Sequence, residues 1–215
     1  MNKISQKKVI FWDWNGTILD DSGICITAMN KLLNRYRYPE ISRNTYEQHF
    51  DFPVSNYYQK IGWQFERHPF EQVGLEFMDI YKENIGDARL QQGVLKTFDF
   101  LKKSGKKQYL ISAMEHDLLI KLTDNYHLHD VFDGISGIED HYGGGKEHVF
   151  EKVIQQQTLN KADIMMIGDT LHDAEIADNL GIDCLLFYSG HQSMARLAHS
   201  KHQVIKSYED LNRYL

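Results

Sequence analysis

The sequence predicts an α/β protein: a doubly wound parallel sheet with helices on both faces and a helical subdomain inserted after the first strand. Three observations carry that expectation. Short, almost continuously apolar runs alternate with longer segments of helical period, as in successive βα units. The runs lack the apolar–polar alternation of a half-solvated strand, which fits strands covered on both sides. Finally, residues 21–91 carry helical periodicity with no convincing strand among them, a span too long for one crossover connection.

The first strand, "KVIFW", ends abruptly on a carboxylate, Asp13, and the chain turns at once through Asn15, Gly16 and Thr17. The insertion follows, with amphipathic stretches in "SGICITAMNKLLNRY" and "PFEQVGLEFMDIYKEN". Between them lies the aromatic-rich "HFDFPVSNYYQKIGWQFERHPF", whose rings are expected to pack the insertion against the rest of the protein. Arg43 and Arg67 are candidates there for a substrate-sensing surface. "GVLKTFDFLKKSG" has helical spacing and stops at Gly105. Next come a strand, "KQYLIS", ending on Ser112, a helix in "HDLLIKLTDNY", and the "GGGKE" loop that leads Lys146 into a helix. "DIMMIG", "DCLLFYS" and "HQVIKS" are the remaining strands, with "DTLHDAE" opening a helix after the first of them. The expected organisation is a core of residues 1–20 and 92–215 and a helical cap of residues 21–91. In open α/β sheets ligands bind at the carboxyl ends of the strands, so such a cap would cover the site.

The bulk numbers exclude some classes. The 215 residues are 42% hydrophobic and 25% charged, enough for a real core, and the net charge of −6 argues against a nucleic-acid or anionic-membrane partner. No stretch approaches the ~18 apolar residues of a membrane span, and the basic first residues precede too short an apolar run for a signal peptide. Cys25 and Cys184 are far apart, without CxxC spacing, and read as buried thiols in a reducing compartment. A cytoplasmic location is therefore expected. Eleven histidines show no zinc spacing.

Four residues share one address, at or just beyond the carboxyl end of an expected strand or in a loop on that side: Asp13, Ser112, Lys146 and Asp169. Acids to hold a divalent cation, a hydroxyl and a lysine form the set a phosphoryl group needs, because its oxygens must be neutralised while a nucleophile approaches in line. Asp13 can be that nucleophile. Asp169 and Asp173 lie four apart across a strand-to-helix turn; a hard cation such as Mg2+ takes one or two carboxylates together with water and phosphate. Asp169 is the better direct ligand, and Asp173 is expected to act through water or by orienting a partner. Gly143 to Gly145 are placed to cradle an anion or to give Lys146 a flexible lead-in.

These segments together resemble the haloacid dehalogenase superfamily of phosphohydrolases, and within it the phosphoglycolate phosphatase-like members. "DWNGTILDD" is similar to the family's first motif, "YLISA" to the second, "GGGKE" to the third, and "IGDTLHDAEIADNLG" to the fourth; "QQGV" resembles the junction back from the cap. The resemblance implies a Rossmann-like core and Mg2+-dependent hydrolysis of a small phosphorylated metabolite by a monomer or homodimer. It implies that Asp13 attacks phosphorus, and that Asp13, the Asn15 carbonyl and Asp169, with Asp173 close by, hold Mg2+. Thr17 would support the first loop, while Ser112, Ala113 and Lys146 would bind phosphate.

One position departs from the pattern. Phosphatases of the family carry a second aspartate two residues after the nucleophile, where this chain has Asn15. An amide cannot exchange a proton near neutral pH, and general acid–base help is worth ~10²–10⁴-fold. Three readings stay open: a phosphatase whose acid comes from elsewhere, with His172 and His116 as candidates, or whose leaving group needs none; a phosphonoacetaldehyde hydrolase-like enzyme, which would need a cap lysine, Lys60 being nearby but out of register; and a phosphate-binding module with lost turnover. On the first reading Asn15→Asp should speed hydrolysis.

Overall fold

The computed structural model describes residues 5–138 and 145–212. In chain order the elements are β1 (Val9–Trp12), β2 (Leu19–Asp20), α1 (Ser22–Arg35), α2 (Arg43–His49), α3 (Val54–Lys60), α4 (Phe70–Asn84), β3 (Arg89–Leu90), α5 (Val94–Lys103) and β4 (Lys107–Glu115). They continue with α6 (His116–Asn125), β5 (Gly134–Ile138), α7 (Gly145–Gln156), β6 (Ile164–Gly168), α8 (Leu171–Leu180), β7 (Asp183–Phe187), α9 (Met194–Leu197), β8 (Gln203–Ile205) and α10 (Tyr208–Asn212). Six strands form one parallel sheet in the order β5-β4-β1-β6-β7-β8.

The unbroken apolar character of β1 has a direct cause. Strand side chains alternate between faces, and here both faces are dry. Ile10 and Trp12 join a cluster with Val94, Phe98 and Leu101 of α5, Leu119 of α6 and Tyr208 of α10. Val9 and Phe11 join another with Phe150 of α7 and with Ile176 and Leu180 of α8. The centre of the sheet therefore carries Asp13 at its tip, next to β4 on one side and β6 on the other.

Helices α1 to α4 occupy the span between β2 and β3. β2 and β3 pair antiparallel, Leu19 with Leu90 and Asp20 with Arg89, so the chain leaves and returns side by side. The aromatics of this span pack inward as expected: Tyr46, Tyr57, Tyr58 and Trp63 are buried and belong to the same apolar cluster as Trp12. Three features depart from the sequence expectation. β4 continues past Ser112 to Glu115 with a register irregularity against β5. β5, "GISGI", was not foreseen, because two glycines in five residues dilute any strand pattern. The β2–β3 ribbon is only two residues long on each side and leaves no periodic trace. Among the described residues no helix is long and apolar enough to cross a membrane, and Cys25 and Cys184 are free and buried.

Candidate active site

The backbone N–H of Asp13 donates to the Ile167 carbonyl at 2.9 Å, extending the β1–β6 pairing by one residue and projecting the Asp13 side chain past the sheet edge. The turn beyond it depends on Gly16, whose φ of +71° lies in the left-handed region. A Cβ there would also collide with the Asp169 carboxylate and stand 2.6 Å from the His191 ring. Thr17 sits under the turn, its hydroxyl 3.2 Å from Asp169 Oδ1 and 3.5 Å from Asp13 Oδ2. Its carbonyl accepts a 2.7 Å bond from the Tyr208 hydroxyl.

Lys146, the second residue of α7, reaches back across the rim, and its ammonium donates to Asp13 Oδ1 and, at 2.7 Å, to Asp173 Oδ1. Asp169 follows β6, and Thr170 caps α8 in a reciprocal box with Asp173. Both oxygens of Asp173 are therefore engaged: Oδ1 takes Lys146, and Oδ2 accepts from the backbone N–H groups of Asp169 (3.1 Å) and Thr170 (3.0 Å) and from the Thr170 hydroxyl (2.8 Å). Ser112 is buried on the other flank, its Oγ accepting from the Met114 N–H at 3.1 Å, while Ala113 is exposed next to it. Asp13, Thr17, Lys146, Asp169 and Asp173, all read from the sequence, meet here, while Ser112 and Ala113 lie on β4, the neighbouring strand. Of the proposed glycine cradle, Gly143 and Gly144 lie outside the described residues.

Carboxylate oxygens of Asp13, Asp169 and Asp173 lie within 4.8 Å of one another, all three residues buried. Burial raises the Asp13 carboxyl, helped by the charge of Asp173 and opposed by Lys146. Burial likewise raises Asp169, with Asp13 and Asp173 adding to it and His191 opposing. For Asp173, burial is outweighed by Lys146 and the Thr170 bonds, and the group is held below the usual carboxylate range. Burial also works against the Lys146 cation, but Asp13 and Asp173 overcome it and keep the ammonium charged. Three clustered carboxylates, two of them held by one ammonium, form an oxygen-rich donor set out of water that suits a hard divalent cation such as Mg2+.

Asn15 has a defined task. Its Nδ2 donates to Asp21 Oδ2 and to the Tyr81 hydroxyl, each at 2.8 Å, and Tyr81 donates to the same Asp21 oxygen at 2.8 Å. The structure also reveals residues that sequence reasoning passed over. Asp21 accepts the Gly16 N–H at 2.9 Å, and His191 Nε2 lies 3.3 Å from Asp21 Oδ1. His191 Nδ1 shares a 2.7 Å bond with the Tyr46 hydroxyl, while its backbone N–H donates to Asp169 at 2.6 Å. Gln91, in the returning junction, donates to the Gly16 carbonyl at 3.0 Å. His191 has the same address as the other rim residues, just past a strand end in "FYSGHQS", and that was the available signal. The histidines singled out from the sequence stand otherwise. His172 stacks on Phe52 with ring centroids 4.7 Å apart, and His116 Nδ1 accepts the Gly137 N–H at 3.2 Å. Lys60 is half-exposed and paired with Asp51 at 2.7 Å; Arg43 bonds Ser22 and Glu47, and Arg67 bonds Gln64.

Comparison with solved structures finds the same architecture repeatedly. A haloacid dehalogenase-like family hydrolase from Streptococcus pneumoniae superposes with a TM-score of 0.84 at 21% identity, over 98% of this chain and 100% of the other. A predicted phosphoglycolate phosphatase from Haemophilus somnus gives 0.78 at 18% identity, over 97% of each chain. The Protein Tyrosine Kinase A of Mycobacterium tuberculosis gives 0.81 at 15% identity, again over 97% of each. At these identities the likeness is one of fold. A search of curated proteins returns no match to the chain. Haloacid dehalogenase-like hydrolase is the family matched by residues 9–187, a span that holds Asp13, Ser112, Lys146, Asp169 and Asp173. With that match over most of its length and these side chains gathered at one rim of a parallel sheet, the chain belongs to the haloacid dehalogenase-like hydrolases.

Proposed function

We propose that this hydrolase is a Mg2+-dependent phosphatase that cleaves a small phosphorylated metabolite through an aspartyl phosphate on Asp13. The observation that carries the reading is the meeting of the Asp13, Asp169 and Asp173 carboxylates, two of which, Asp13 and Asp173, also hold the buried Lys146 ammonium. Asp13 and Asp169, with the Asn15 carbonyl, would hold Mg2+, which would neutralise charge on the phosphoryl oxygens. Asp13 attacks phosphorus with the carboxylate oxygen not held by Lys146. Lys146 offsets the charge that gathers as attack proceeds, and Asp173 aims Lys146 while capping α8. The Ser112 hydroxyl already accepts the Met114 N–H and retains a proton to donate to the transferring group. The leaving alkoxide takes its proton from solvent, and water then attacks the aspartyl phosphate, releasing inorganic phosphate and returning Asp13 as the carboxylate.

Residues 21–91 act as a cap over this rim, and the protein works in the cytoplasm as a monomer or homodimer. Phosphoglycolate enters as a candidate substrate through the motif resemblance and the description of solved structures such as that from Haemophilus somnus. The phosphonoacetaldehyde reading lacks support, since Lys60, the candidate for a Schiff base, is half-exposed and paired with Asp51. The deciding experiment is a panel of phosphorylated metabolites and p-nitrophenyl phosphate, assayed with Mg2+ and with EDTA beside Asp13→Asn. Turnover that needs both Mg2+ and Asp13 is expected. Hydrolysis retained in Asp13→Asn would overturn the mechanism, and no turnover on any phosphate would favour a binding module.

A further inference from the structure

Asp21 occupies the N-cap position of α1 but its side chain makes no cap bond. A capping carboxylate is worth about 1 kcal/mol, so the forgone cap needs a reason. The Asp21 carboxylate, fully buried, instead collects donors from four separate segments: Gly16 and Asn15 of the nucleophile loop, Cys25 of α1 at 3.6 Å, Tyr81 of α4, and His191 of the loop after β7. His191 extends the chain of contacts in two directions. Its ring joins Asp21 to the Tyr46 hydroxyl of α2, and its backbone N–H holds Asp169 Oδ2. Gly190, immediately before it, has no room for a Cβ because the Asp169 carboxylate lies against it.

We propose that Asp21 and His191 are a positioning pair that couples docking of the helical span, through Tyr46 and Tyr81, to the geometry of the metal-binding rim, through the Gly16 turn and Asp169. Neither side chain is among the proposed phosphate or Mg2+ ligands. It fixes the turn that follows Asp13 from one side and the Asp169 oxygen from the other, so loosening Tyr46 or Tyr81 misplaces groups that must converge on one cation. Outer partners of metal-binding groups are commonly worth about 10–100-fold in metal affinity. The inference rests on the metal reading given above. Asp21, Cys25 and His191 also come within 4.8 Å of one another, but the carboxylate is already saturated by hydrogen-bond donors from the protein, which makes the cluster a hydrogen-bonded hub and not a second cation site.

The test is Mg2+ binding by calorimetry, with melting temperature measured beside it, for wild type, Tyr46→Phe, Tyr81→Phe and His191→Asn. Tyr36→Phe serves as the control, because it removes a comparable hydroxyl bond, 2.5 Å to Glu76, on the outside of the helical span. The expected result is Mg2+ affinity about 10-fold weaker in the three hub variants, no change in the control, and a Tyr46→Phe/His191→Asn double variant no worse than His191→Asn. Wild-type affinity in folded Tyr46→Phe and Tyr81→Phe would overturn the coupling while leaving the phosphatase reading intact. Absence of Mg2+ binding by wild type would instead remove the metal reading and the coupling with it. Stoichiometric zinc in the purified protein, lost in Cys25→Ser, would show the hub to be a metal site and overturn the proposal. Should His191→Asn fail to fold, the two Tyr→Phe variants decide alone.

Discussion

Asp169→Asn separates stability from function at the crowded rim. Two unit charges 4.8 Å apart, the outer limit for the three carboxylates, repel by about 3.5 kcal/mol at an effective dielectric of ~20. Asp169 faces two such neighbours, Asp13 and Asp173, with His191 offsetting part of the repulsion. About one pair's worth of strain is left to relieve. The amide retains an acceptor for the His191 N–H or the Thr17 hydroxyl but weakens a charged bond worth about 1.5–3 kcal/mol. The net expectation is a gain of about 0.5–2 kcal/mol without divalent ions, or roughly 1–8 °C in melting temperature for a chain of this size. Thermal melts in EDTA and in Mg2+ measure it. In EDTA the variant should melt above wild type; Mg2+ should raise wild type by mass action and leave the variant nearly unmoved; turnover should be lost. A variant that melts at or below wild type in EDTA would refute the charge-crowding account.

Three further outcomes follow from the same geometry. Contrary to the sequence expectation of faster hydrolysis, Asn15→Asp alone should gain little turnover and lose about 2–3 kcal/mol of stability, because it trades the amide bond to Asp21 for a part-buried like-charge pair. The double variant Asn15→Asp/Asp21→Asn keeps one acid and one amide across that contact and should hydrolyse alkyl phosphates faster than the single variant; equal rates would sink this explanation. Lys146→Met should abolish turnover and cost about 3–5 kcal/mol in urea unfolding, since it strands Asp13 and Asp173 in a dry site; adding Asp13→Asn to it should recover part of that loss. Tyr208→Phe should cost about 1–3 kcal/mol by leaving the buried Thr17 carbonyl without its donor, with an unchanged denaturant midpoint counting against it.

Much of this protein was readable residue by residue. A strand buried on both faces has to be apolar at every position, so "VIFW" and "MMIG" announced themselves, and an acid that ends such a strand has to sit at the sheet edge. The Thr170–Asp173 box is just as local, a cap and its partner three residues apart, yet it went unread because Asp173 was assigned to the cation site. Lys146 was legible only through its company, a lysine in a glycine loop having many uses. The sequence made Asn15 look like a lost acid; in the fold it is also a donor to Asp21 and Tyr81.

The sequence by itself determined the α/β alternation, the helical span after the first strand, and the side of the sheet on which Asp13, Ser112, Lys146 and Asp169 stand. Those depend on periodicity and turn chemistry, which are properties of neighbouring residues. Only the tertiary structure decided that the Asp21 carboxylate forgoes the side-chain cap of α1 for a hub, and that Tyr46 meets His191 across 145 positions of chain. Hydrogen bonds between distant elements leave no period behind. A buried hub histidine in a loop and a solvated one are written with the same letter, and only packing tells them apart.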